Sequence, residues 1–228
     1  MYSVRVAAAV MAVAGLSADP AAAATATFDF SRSPGESTSF FSLPSGSRDF
    51  TDNGLTVTVW GRYYDNGRIG TGRVGVYSGG LGIVNSPNDN DHRVDSSGFD
   101  DFLEFVFPVP VLIRQAEFSV VGWTDDFRHG RDTNLGGDIG SGDSLSGEID
   151  IPSDTVWGDD PGEDFGITPH LAWAIGAFDK YDAWKLNSLT VEFTPPGKIE
   201  EQVPLPASVV LLAGGLAGLG LLRRRRRA

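Results

Sequence analysis

The chain of 228 residues contains no cysteine and only three histidines. Without cysteine there is no disulfide framework and no thiolate metal site, so stability must come from core packing. His92, His129 and His170 are too far apart in sequence for the paired-histidine spacing of helical zinc proteases. Positive charge is scarce as well, with 18 basic residues against 30 acidic ones. Arg5, Arg223 to Arg227 and the acidic Asp19 lie in the terminal segments, which leaves 12 basic and 29 acidic residues between them, a net charge of −17. Such a surface repels nucleic acid and anionic lipid and attracts divalent cations. Apolar residues at sustained helical spacing are also missing from the body of the chain, which argues against an α/β or helical fold.

What is present divides the chain into four parts. Residues 1–24 combine a short basic start at Arg5, an apolar run over 6–16 and the small residues Ala21 to Ala24, the three parts of a secretory signal peptide. Cleavage is expected after Ala24, within two residues either way. Residues 25–194 are punctuated by Gly, Asn, Asp, Ser and Pro, and the apolar stretches between them alternate. In 55–60, Leu55, Val57 and Val59 share one face while Thr56, Thr58 and Trp60 take the other. Strands are also expected at 26–30, 72–77, 81–84, 102–107, 112–121, 171–178 and 188–193. Segments 125–150 and 154–164, rich in Gly and Asp, read as loops. About eight strands without a helix predict an all-β domain, an antiparallel β-sandwich of jelly-roll type. Residues 195–202 read as a linker of proline followed by charge.

The fourth part, 203–228, is unlike the rest. Residues 207–222 carry no charge and as a helix span about 24 Å, barely enough to cross a bilayer. Arg223, Arg224, Arg225, Arg226 and Arg227 follow, and by the positive-inside rule they stay in the cytoplasm, so the domain faces outward. A C-terminal transmembrane helix is therefore expected, tethering the protein to the membrane before any processing.

Two letter matches to enzyme motifs have the wrong surroundings. Gly142-Asp-Ser-Leu145 spells a lipase nucleophile motif, but it follows a Gly, Ser and Asp run, and Ile167 stands three residues before His170 where a catalytic aspartate is required. Gly70-Thr-Gly-Arg-Val-Gly75 has the dinucleotide spacing, yet Val74 to Tyr77 continue as strand where a helix must open.

Three groups remain as candidate sites. Asp89, Asp91, Asp95, Asp100 and Asp101 are concentrated in one loop and can offer the hard oxygen donors that Ca²⁺ prefers, without the twelve-residue loop spacing of the helix-loop-helix calcium proteins. Trp60, Tyr63 and Tyr64 can form an aromatic patch of the kind that stacks on sugars. Paired carboxylates for glycan hydrolysis are plentiful, but nothing in their spacing singles out an acid and a base.

Val203-Pro204-Leu205-Pro206-Ala207, the weak apolar helix and the terminal arginines together resemble the PEP-CTERM sorting signal in its VPLPA variant. The resemblance implies processing by an exosortase, a membrane protease or transpeptidase of Gram-negative bacteria that make exopolysaccharide. It further implies transfer to the cell surface or extracellular matrix. Val94-Asp-Ser-Ser-Gly-Phe-Asp-Asp-Phe-Leu103 is similar to a "VDNSG-x-DDFL" stretch of domains found before such tails, with Ser96 in the Asn position. No catalytic residue is carried over from that likeness. The expectation is an exported, non-enzymatic surface protein associated with exopolysaccharide, with a carbohydrate-binding module and a glycan hydrolase as alternatives.

Overall fold

The computed structural model of the chain describes residues 22–31, 46–89, 91–131, 145–151, 153–158 and 163–196. The signal-peptide residues up to 21, the motif at 203–207, the expected helix at 207–222 and the arginines at 223–227 lie outside the described residues. Among the described residues there is no helix, so none long and apolar enough to cross a membrane.

The first strands are β1 (Ala24–Asp29), β2 (Ser47–Asp52), β3 (Leu55–Asp65) and β4 (Arg68–Thr71). Asn53-Gly54 joins β2 to β3 and Asn66-Gly67 joins β3 to β4, all four residues having positive φ between 46° and 84°. Paired positive φ is the geometry of the two-residue turn whose twist matches that of the flanking strands, which is why Asn-Gly is favoured there. Next come β5 (Arg73–Tyr77), β6 (Gly80–Val84), the short β7 (Val94–Asp95) and the long β8 (Asp100–Ser119). The chain continues through β9 (Asp126–Arg131), β10 (Ile149–Asp150), β11 (Thr155–Trp157), β12 (His170–Gly176) and β13 (Ala183–Phe193). Every registered pairing is antiparallel.

β8 organises the domain. Its first half lies between β3 and β12, with Phe105 opposite both Val59 and Trp173. Its second half lies between β13 and β11, with Ala116 opposite both Leu189 and Trp157. The change of partners falls at Pro108-Val109-Pro110, where the missing proline N–H groups could not have continued a ladder. The sequence pattern predicts two strands here; the structure has one, which changes partners at the prolines.

The two ladders face each other across one core. Phe28 of β1 lies 6.1 Å from Phe107, and Phe30 lies 6.3 Å from Phe105 and 4.9 Å from Phe50 of β2. Leu103, Phe105, Trp173, Trp184, Leu189 and Val191 are fully buried. The two buried indoles are satisfied as well as packed: Trp173 Nε1 donates to the Val111 carbonyl at 3.1 Å and Trp184 Nε1 to the Asp126 carbonyl at 3.0 Å.

The segments read from sequence as loops are partly strand. β9 is polar in composition, Asp-Phe-Arg-His-Gly-Arg, but pairs with β12 over four residues and buries Phe127 completely. Tertiary pairing overrides composition there.

Candidate functional site

The loop between β6 and β8 folds back on β6, because Ile83 N–H donates to the Arg93 carbonyl at 3.1 Å and β7 pairs with Ala183 and Trp184 of β13. Asp89 stabilises the loop locally: its carboxylate accepts from the His92 N–H at 3.2 Å and the Asn85 N–H at 3.4 Å. His92 has φ of +51° and stacks on Tyr77 with ring centroids 4.6 Å apart. The result is an open cavity of about 440 Å³ lined by Asn85, Ser86, Asn88, Asp89, Asp91, Asp95 and Ser97.

Asp101 is fully buried behind this cavity and accepts from Asn85 Nδ2 with both carboxylate oxygens, at 3.1 and 3.3 Å. Burial pushes its carboxyl well above the ordinary carboxylate range, despite the Asn85 hydrogen bond, and the charges of Asp95 and Asp89 push the same way. Asp95 is raised to about 6 by burial, with Asp89 and Asp91 adding to it and the Ser97 N–H at 2.7 Å opposing. Four of the five nominated aspartates therefore belong together. Asp100 does not join them: it is next to Asp101 in a strand, so its side chain leaves by the other face, toward Arg128 and Asp179.

Ser96, in the Asn position of the "VDNSG-x-DDFL" stretch, does not line the cavity. Its hydroxyl donates to the Asp179 carbonyl and its N–H to the Asp182 carbonyl, tying this loop to the turn before β13. That turn belongs to a second acidic group, which sequence reasoning missed. Asp126, Glu148 and Asp179 each bring a carboxylate oxygen within 4.8 Å of the others. They come from β9, the residue before β10 and the turn after β12, and no spacing rule links positions so far apart. Arg128 pairs with Glu148. Asp182 accepts from the N–H groups of Asp126 at 2.9 Å and Asp179 at 2.8 Å, and burial raises its carboxyl to about 6.

The three nominated aromatics are divided by strand alternation. Trp60 and Tyr64 share a face of β3, and Tyr63 takes the other, 4.9 Å from Phe99 and packed against Gly70. Trp60 is half-buried under the Arg62 guanidinium, 4.8 Å from its ring, and Arg62 is fixed by Glu104 at 2.8 Å and Thr71 at 2.9 Å. Tyr64 is exposed.

Leu145 forms a bridge with Gly130, and the rest of the Gly142 to Leu145 tetrapeptide lies outside the described residues. Arg73 to Tyr77 of the glycine-rich match form β5, with no helix following.

No protein-family model, no curated protein and no solved structure matches the chain.

Proposed function

We propose that the chain is an exported surface protein whose domain, a β-sandwich of jelly-roll type, is delivered by an N-terminal signal peptide and sorted by an exosortase through residues 203–207. Its role is structural or adhesive, in association with exopolysaccharide. One observation carries the reading beyond the sequence: β1 and β13 pair in register from Ala24 opposite Phe193 to Asp29 opposite Ser188. The residue at the expected signal cleavage and the last strand residue before the linker, Phe193, are thus neighbours, with Cα atoms about 5 Å apart. A domain whose two ends leave side by side can be held at one membrane through both segments while it folds. Removing either segment leaves Thr25 to Asp29 paired. Replacing Pro204 and Pro206 together by alanine is expected to leave the protein as an unprocessed, membrane-bound precursor. Cell fractionation reads this directly; processing and surface delivery at the parental level would contradict it.

We further propose Ca²⁺ as the ligand of the Asp89, Asp91 and Asp95 cavity. The donors there are carboxylate, amide and hydroxyl oxygens, the hard and adaptable set that Ca²⁺ takes and that softer metals do not select. Burial first, and then mutual repulsion, raise Asp95 and Asp101, and a cation would offset both.

A further inference from the structure

A second cavity, of about 240 Å³, opens beside β9 and is lined by His129, Arg131, Leu145, Ser146, Asp164, Phe165 and Gly166. β9 alternation places Phe127, His129 and Arg131 on one face. Phe127 goes fully into the core, and His129 stands at the edge of an aromatic nest, with ring centroids 4.8 Å from Phe165 and 5.8 Å from Trp157. Burial lowers the imidazole pKa to about 4, with Arg131 pushing the same way, so the ring is neutral at physiological pH. A neutral imidazole carries one donor and one acceptor.

The guanidinium of Arg131 lies 5.8 Å from the Trp173 ring centroid. Gly166, at φ +103°, gives it room, since a Cβ there would stand 2.9 Å from Arg131 Nη2. Asp164 accepts from the Gly166 N–H at 2.9 Å, which leaves lone pairs on its carboxylate for a further donor. Among the described residues, neither the His129 ring nor the Arg131 guanidinium makes a hydrogen bond or an ion pair. Both residues line the cavity, which places their polar atoms where a ligand would meet them.

The set is mixed and carries no net charge: donors from Arg131, an acceptor from Asp164, one of each from His129. Adjacent hydroxyl groups, each a donor and an acceptor at once, complement such a set, and the half-buried Leu145, beside the fully buried Phe165, gives the C–H face of a pyranose an apolar contact. The volume is below the roughly 300–1,000 Å³ of pockets for drug-sized molecules, which limits the occupant to about one ring. The net charge of −17 over residues 25–202 also disfavours a polyanion.

We propose that this cavity binds one uncharged hexose ring, as the end or side branch of a polysaccharide. The site is separate from the Trp60, Tyr63 and Tyr64 group and does not depend on sorting, so failure of either proposal leaves the other standing. The test is saturation-transfer NMR on the full chain in a non-glycosidic detergent, with methyl glucoside, methyl galactoside, methyl mannoside and, as charged control, methyl glucuronide. At least one uncharged glycoside is expected to receive saturation, more strongly than the glucuronide. His129→Phe, which keeps the ring packing, and Asp164→Asn, which keeps the Gly166 hydrogen bond, should each weaken binding about tenfold. Trp60→Ala should leave it unchanged. Absence of transfer to every uncharged glycoside, preference for the glucuronide, or parental affinity in a folded Asp164→Asn protein would overturn the proposal.

Discussion

Gly82→Ala is expected to lower the melting temperature by about 5–15 °C, from a destabilisation of about 2–4 kcal/mol. A Cβ at Gly82 would stand 1.8 Å from the His92 carbonyl oxygen and 2.7 Å from its carbon. Both are backbone atoms, so no side-chain rotation relieves the overlap. Either β6 leaves its place between β5 and β13, or the loop that carries Asp89 and Asp91 lifts away. The second response costs less, because the loop is held to β6 by few backbone hydrogen bonds, and it would move Asp89 and Asp91 from Asp95. The variant should thus lose any response to Ca²⁺ along with part of its stability. Gly54→Ala is the control: its Cβ meets nothing within 4 Å, and only the φ of +76° opposes it, at a cost of about 1 kcal/mol. A calorimetric melt of Gly82→Ala within 2 °C of the parent would contradict the close approach of loop and strand.

A second large effect is expected from divalent cation and pH together. Asp95 and Asp182 titrate near 6 in the folded chain, against about 3.9 when unfolded. Between pH 4 and 6 the folded state therefore holds more protons than the unfolded one, and stability falls as pH rises through that window. In the presence of a chelator the melting temperature should fall by several degrees from pH 4 to pH 7. Ca²⁺ at about 100 times its dissociation constant would add about 2.7 kcal/mol at pH 7 and raise the melting temperature by roughly 5–10 °C. It would do little at pH 4, where Asp95 is protonated. A slope due to Asp182, which lies off the cavity, should remain in Ca²⁺, and Asp95→Asn should remove both the cation response and its own share of the slope. Identical melts in Ca²⁺ and chelator at pH 7 would dismiss the cation.

The all-β reading rests on alternation, and alternation is most visible where one face of a strand is buried. Leu55, Val57 and Val59 made β3 legible, and Leu103, Phe105 and Phe107 did the same for the first half of β8. β2 and β4 were harder because Ser47 to Asp52 and Arg68 to Thr71 bury little, although the two Asp-Asn-Gly turns at 52–54 and 65–67 announce the hairpins that contain them. β9 was hidden by its charge, since only Phe127 of its six residues is a large apolar side chain. For the acidic loop, the density of aspartate pointed to the place, and the strand period separates Asp100 from Asp101 once β8 is known to begin there. The cavity at His129 was not legible at all. Its lining comes from positions 129–131, 145–146 and 164–166, which only the pairing of β9 with β12 and the bridge from Gly130 to Leu145 bring together.

In the proposed sorting, two segments frame this domain to be read and removed. β1 begins at Ala24 and β13 ends at Phe193, so both cuts can be made without breaking a strand pair beyond Ala24 with Phe193. The mass of the protein recovered from the cell surface tests both cuts in one measurement. A mass that begins within two residues of Thr25 and ends at the segment 203–207 is the expected result. A surface protein that retains the arginines at 223–227 would contradict it, and would make the C-terminal segment a permanent anchor.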